Sequence, residues 1–190
     1  WTATVGNVGA FAQAVLTRGA LTFTPGLRAD AFPVDGDRLL PPVGSTPRIG
    51  YARLSWGVDP RLALAWTARP GLILGAAGGV YHQPANARDL SAVFGAPTLG
   101  PSRALHASLS AWKALPARFG LEAVAFFREL DGLPVRSPLP SPVLGQALTG
   151  EGRGRSYGGS VFVRRDLAAA TTAWLTYTLS RSVRWTEGSA

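Results

Sequence analysis

Ser110-Ala-Trp-Lys113 has the spacing that some acyl-enzymes use, in which a lysine one helical turn away serves the serine. On an extended strand, positions three apart point to opposite faces, so the pair cannot cooperate there. Gly152-Arg-Gly-Arg-Ser-Tyr-Gly158 has the glycines of a phosphate loop. It precedes a strand, however, and lacks the closing Lys and Ser/Thr. Two histidines, His82 and His106, with no cysteine leave no spacing suited to zinc. No catalytic residue, metal site or cofactor is expected, and the chain does not read as an enzyme. The chemistry left is ligand contact. Arg28, Asp30, Glu122, Arg128 and Arg164 each fall on the polar register of an alternating segment, where mutual pairing and hydration weigh more than direct ligand contact. Tyr81 and His82 stand where a strand would run into a long connection, from which either reaches a ligand or simply caps an aromatic girdle.

These residues need a scaffold, and composition restricts it. With 190 residues, 46% apolar and 16% charged, the chain is far from the disordered regime. Its 23 Gly and 15 Pro favour many turns over long helices. The net charge of +8 suggests nucleic acid, but Lys113 is the only lysine and the arginines are scattered singly, without an aromatic-interleaved basic cluster. Nucleic-acid binding is therefore not expected. No run of about 18 uncharged apolar residues exists, which excludes helical membrane spans and nothing more. The chain opens at Trp1 without a signal-peptide pattern and contains no Met, and it is expected to be a fragment of a longer protein.

Turn signals divide it into four hairpins. Gly9 to Thr17 meets Leu21 to Phe32 at Arg18-Gly19-Ala20, and the runs around Leu62 and Ile73 meet at Ala68-Arg69-Pro70-Gly71. Arg103 to Leu115 meets Phe119 to Leu130 at Pro116-Ala117-Arg118, and Ser156 to Arg165 meets Ala170 to Trp185 at Asp166 to Ala169. An arginine marks each tight turn, at Arg18, Arg69, Arg118 and Arg165, a repeat near fifty residues. Between hairpins run long connections: Pro33 to Ser55, Gln83 to Ser102 and Asp131 to Arg155. Strict alternation of short and long connections places all short turns at one end of an antiparallel meander. Outer-membrane barrels have that asymmetry, and a soluble sandwich has no reason to enforce it.

Facing agrees. Leu21, Phe23, Pro25, Leu27, Ala29 and Ala31 suit lipid, opposite Thr22, Thr24, Gly26, Arg28, Asp30 and Phe32. Leu175, Tyr177 and Leu179 likewise stand opposite Trp174, Thr176 and Thr178. Twelve residues at about 3.3 Å each, tilted near 45°, project to roughly 28 Å, enough for the apolar band. Trp66, Trp112, Tyr81 and Trp185 lie near strand ends, where aromatic girdles are expected. The fold class is all-β: an up-and-down meander of about eight long strands forming a partial transmembrane β-barrel, an open curved sheet.

The succession LTFTPGLRAD, VDPRLALAW, GGVYHQP with FGAPTLGPSRALHASL, AVAFFRELDGLPVRS, GRSYGGSVFVRR and AWLTYTLSRS resembles the C-terminal barrel half of TonB-dependent outer-membrane receptors over about Gly9 to Trp185. The resemblance implies residence in the bacterial outer membrane among its lipids. It also implies energised uptake of a scarce small-molecule ligand, such as a siderophore or cobalamin, and coupling to TonB through a plug or TonB box. Two departures stand out within residues 1–190: neither a plug domain nor a TonB box is seen, and a family barrel of about 22 strands needs many more than the eight counted; a barrel fragment is expected to account for both. The alternative is a self-contained eight-stranded barrel with a structural or adhesive role, since eight strands can close.

Overall fold

The structure, a computed structural model, describes residues 2–36, 50–142, 144–168 and 171–186. Residues 37–49 of the first long connection and 169–170 of the fourth turn lie outside the described residues. The described strands are β1 (Ala3–Val5), β2 (Val8–Gln13), β3 (Leu16–Arg18), β4 (Leu21–Gly36), β5 (Tyr51–Arg69), β6 (Leu72–Gln83), β7 (Ser102–Leu115), β8 (Phe119–Arg136), β9 (Leu148–Ala168) and β10 (Thr171–Thr186). All belong to one antiparallel sheet in which each strand from β4 to β10 pairs with the next. The described residues of β10 pair only with β9, and β1, β2 and β3 pair only with β4, so no ladder closes the sheet. The meander is open, with ten strands by count and eight positions across.

The difference between eight and ten comes from two prolines. One expected strand, Gly9 to Thr17, is instead three short pieces spanning Ala3 to Arg18, all in the same register against β4. The first gap, at Gly6 and Asn7, lies opposite Pro33, and the second, at Ala14 and Val15, lies opposite Pro25. Proline cannot donate to a ladder, so the partner strand loses its regular bonding there. The prolines still accept, from Gly6 N–H at 2.9 Å and Ala14 N–H at 3.1 Å.

The strands also run further than turn signals indicate. β4 continues through Pro33 to Gly36, and β8 and β9 reach Arg136 and Leu148, well inside the stretches read as connections. Packing explains the extension. Val34 is buried beneath residues 84–101, whose Leu90, Ala96 and Leu99 form a small apolar core with it, and Phe32 is buried on the same face. Arg53 ties this segment down by donating to the carbonyl oxygens of Thr98 and Leu99, and a 3-10 turn, Ala87–Leu90, shapes it.

The tight turns use the left-handed region. Gly19 and Gly71 have φ of 59° and 75°, while the third turn puts Ala117 and Arg118 at 56° and 59°, the two-residue geometry that suits the twist of a hairpin.

Register assigns every side chain to a face, because residues paired directly across strands point the same way. Asp30 pairs with Gly57 and Arg28 with Asp59, so the face bearing Arg28 and Asp30, the inner face, carries the odd-numbered residues of β5. Leu27, Trp56, Leu62, Leu109 and Leu175 are exposed on the other, outer face. Trp112 and Tyr81 depart from the girdle expectation. Trp112 is paired with Glu122 and Ile73 on the inner face, and Tyr81 also points inward. Only Trp66 and Trp185 of the four face outward.

Candidate functional site

The inner face carries a row of polar side chains running straight across the strands. Arg61 pairs with Gly79, Gly79 with His106, His106 with Arg128, Arg128 with Ser156 and Ser156 with Ser182. Every member faces inward because each pairing preserves the face. Tyr81, one step along β6, closes the row into a layered group. Its ring centre is 4.6 Å from that of His106, and the Arg61 guanidinium carbon is 4.5 Å from the Tyr81 centre. Arg128 lies 5.5 Å over the Phe126 ring. A cation over an aromatic face is worth about 0.5–2 kcal/mol, depending on how much water is excluded.

Above this row the β5 and β6 ladder ends at the Arg61 and Gly79 pair. Asp59 fills the opening. One carboxylate oxygen accepts from the His82 N–H at 3.3 Å, and the other stands 2.6 Å from His82 Nδ1. Asp59 is only 3% exposed, so these bonds and the Arg61 Nη2 at 3.9 Å supply what water cannot. The pairing also explains how His82, which strict alternation would turn outward beside inward Tyr81, reaches an inner-face carboxylate. Gly57 leaves room, since a Cβ there would stand 2.7 Å from the His82 Cβ.

Arg28 forks the neighbouring Asp30, with Nε and Nη2 each 2.6 Å from a carboxylate oxygen. Between the Arg28 pair and the aromatic group is a hollow of about 240 Å³, lined on the inner face by Phe11, Gln13, Thr24, Arg28, Arg61 and Tyr81. A second, of about 150 Å³, lies between Tyr81, His106, Ser108 and Arg128.

The structure thus brings Arg28, Asp30, Tyr81, His82 and Arg128 into one inner-face region. It does not bring in Glu122 or Arg164. Glu122 lies six residues down β8 from Arg128, roughly 20 Å at strand rise. Arg164 is lower still, held by Asp166 at 2.9 Å near the fourth turn. Asp59, Arg61 and His106 belong to the group and were not singled out by the sequence. The signal for Arg61 and Asp59 was their register, shared with Ala63, Ala65 and Thr67 on one side of an otherwise apolar strand.

Chemically, this surface offers guanidinium donors, imidazoles and flat π faces. Among the described residues no group of three His, Cys, Asp or Glu side chains is placed to hold a metal ion. Ser110 and Lys113 fall on opposite faces, since they pair with Val124 and Leu121 respectively. The arrangement suits grasping a ligand. Gly152 to Gly158, read above as preceding a strand, lies within β9.

A family profile described as TonB dependent receptor-like, beta-barrel matches residues 2–189. No curated protein matches the sequence. Among solved structures, the FrpB iron transporter from Neisseria meningitidis (F3-3 variant) is similar with a TM-score of 0.72 at 15% identity, covering 95% of this chain and 26% of that one. The copper transporter OprC gives a TM-score of 0.73 at 14% identity, covering 95% and 29%. The pyoverdine outer membrane receptor FpvA from Pseudomonas aeruginosa PAO1 gives 0.68 at 14% identity, covering 96% and 26%. The chain therefore spans about a quarter of the length of these structures, and at such identities the likeness is one of fold.

Proposed function

Because this chain belongs to the TonB-dependent receptor-like β-barrel family, we propose that it is a section of the barrel wall of an outer-membrane receptor that imports a scarce ligand, with TonB supplying the energy through parts of the receptor outside residues 1–190. The inner-face group of Arg61, Tyr81, His106 and Arg128 carries this reading. It lies toward the end where the strands meet the long connections, the side on which such barrels present their longer extracellular loops. Arg28, Asp30, Tyr81, His82 and Arg128 are its ligand-facing residues, whereas Glu122 and Arg164 belong to the lower wall.

The cargo is proposed to be an anionic metal chelate. Support comes from two sides: guanidinium and aromatic groups recognise anionic, planar donors, and proteins of the same fold are described as iron and copper transporters and as a pyoverdine receptor. A self-contained eight-stranded barrel is not favoured, since no ladder joins the described residues of β10 to β1, β2 or β3.

The test is accumulation of labelled ferric catecholate, ferric hydroxamate and cobalamin by cells carrying the full receptor chain, with and without a protonophore. One probe should accumulate in energised cells only, and Arg61→Ala with Tyr81→Ala should cut that accumulation roughly tenfold or more while the barrel remains in the outer membrane. Accumulation no greater than in cells lacking the receptor would overturn the reading.

A further inference from the structure

The arginines that mark the tight turns form a row along the short-turn edge of the sheet. Arg18 adjoins the first turn and Arg69 the second, while Arg118 lies within the third at a φ of 59°. All three are exposed. The edge that carries them is stitched from turn to turn. Thr67 N–H donates to the Ala20 carbonyl at 2.8 Å, Ala114 N–H to the Gly71 carbonyl at 2.8 Å, and Asp166 N–H to the Arg118 carbonyl at 3.2 Å. Each turn is thereby bonded to the hairpin that follows it. Successive turns are two strands apart, about 10 Å measured across the strands.

Charge at this end is one-sided. Residues 16–22, 66–73, 112–122 and 162–174 contain six basic side chains, Arg18, Arg69, Lys113, Arg118, Arg164 and Arg165, against two acidic ones, Glu122 and Asp166, which leaves four positive charges in excess. Neither acid serves Arg18 or Arg69 among the described residues. Glu122 faces inward beside Trp112, whereas Arg18 and Arg69 pair with Leu21 and Leu72 on the outer face. Asp166 is held by Arg164 at 2.9 Å and by the Thr172 hydroxyl at 2.9 Å, with Arg118 close enough to act on it.

Position along the strands sets these arginines apart from the membrane. Outward-facing Trp66 lies three residues above Arg69 on β5, about 10 Å at strand rise, and an outward tryptophan marks the bilayer interface. The first hairpin closes in register with Trp66 and the second lower, at Arg69, the stagger that tilted strands require for tips at one level. Arg18, Arg69 and Arg118 thus stand at the tips, on the water side. Arg165 does not: it lies over the Phe119 ring at 4.8 Å, within the ladder of β8 and β9. Short turns of such barrels face the periplasm. We propose that this edge docks on peptidoglycan, the carboxylate-bearing polymer of the periplasm, with Arg18, Arg69 and Arg118 each forking a carboxylate of its peptide stems. One exposed guanidinium–carboxylate pair is weak, and a polymer that repeats its carboxylates joins three weak pairs into one avid contact. The docking rests on the outer-membrane reading of the barrel and is independent of the cargo.

The experiment mixes the full receptor chain in mild detergent with purified peptidoglycan sacculi and measures the fraction that sediments. Native sacculi should bring down severalfold more receptor than sacculi whose carboxylates have been converted to amides. Arg18→Gln, Arg69→Gln and Arg118→Gln together should abolish the difference. Lys at the same positions should restore most of it, and Arg165→Gln should leave it unchanged. At about 1 M salt, where charges are screened within about 3 Å, sedimentation should fall to the amidated level. Heat-modifiable migration reports that the barrel of each variant has folded. Equal sedimentation on native and amidated sacculi, or a difference that survives the triple Gln substitution, would overturn the docking. A difference kept in nanodiscs of zwitterionic lipid but lost in acidic phospholipid would overturn it too, by assigning the arginines to lipid headgroups. Chelate uptake should survive the triple substitution, so failure of the docking and failure of the uptake reading are distinguishable.

Discussion

The Arg61 guanidinium lies 4.5 Å from the centre of the Tyr81 ring, and it reaches that place across Gly79. A Cβ on Gly79 would stand 3.0 Å from Arg61 Cγ and 3.0 Å from the Pro60 carbonyl oxygen. Gly79→Val therefore has to displace the arginine or the strand. It should cost about 1–3 kcal/mol in a membrane-folding titration, as overpacking does. Gly100→Ala, with nothing within 4 Å of its added methyl group, should change stability by less than about 0.5 kcal/mol. Equal folding midpoints for the two variants would contradict the close approach.

Facing can be tested with arginine. Leu27 and Leu175 are 53% and 71% exposed on the outer face, and replacing either with Arg near the bilayer midplane should cost about 2–4 kcal/mol. Thr24→Arg and Thr176→Arg add the same charge on the inner face, beside Ala63 and Phe162, and should be tolerated far better. Similar costs for the two pairs would invert the assignment.

Asp59 stands in for a missing ladder bond. Its carboxylate accepts the His82 N–H where β6 no longer follows β5. Asp59→Ala should therefore accelerate amide exchange at His82 by one to two orders of magnitude, the equivalent of about 1–3 kcal/mol for an acceptor removed from a buried donor. Asp59→Asn keeps an acceptor and should retain much of the protection. Unchanged exchange in Asp59→Ala would show that another group serves this N–H.

Much of the architecture was legible because alternation and turn chemistry are local. Leu27 against Arg28, and Leu175 against Trp174, state their faces in two residues, and Gly19 and Gly71 mark turns that need positive φ. What was not legible depends on neighbours far along the chain. Pro33 reads as the end of a strand, yet β4 continues past it because Val34 finds cover from Leu90 and Leu99. Tyr81 and Trp112 read as girdle aromatics from their positions near strand ends, whereas register turns both inward. His106 joins the site only through Gly79 and Arg128, its partners on two other strands.

The segment 84–101 is tied over the inner face by Arg53, which donates to the Thr98 and Leu99 carbonyls, and by the Ala147 N–H, which donates to the Gly95 carbonyl at 3.1 Å. Arg53→Ala should release it, raising the rate of proteolytic cleavage within 84–101 severalfold while β6 and β7 stay protected. Cleavage confined to 137–147 in both proteins would show that Arg53 does not restrain the segment.

The central claim is that this sheet is a piece of barrel wall, with lipid on one side and an aqueous lumen on the other. Residues 1–190 contain no cysteine, so spin labels can be placed one at a time from 174 to 179 along β10 of the full receptor in bilayers. Collision rates with oxygen and with a water-soluble nickel chelate then report the environment of each position. Oxygen should dominate at Leu175, Tyr177 and Leu179, and the nickel chelate at Trp174, Thr176 and Thr178, an alternation with period two. A profile without that alternation, or one with the two sets exchanged, would contradict the account.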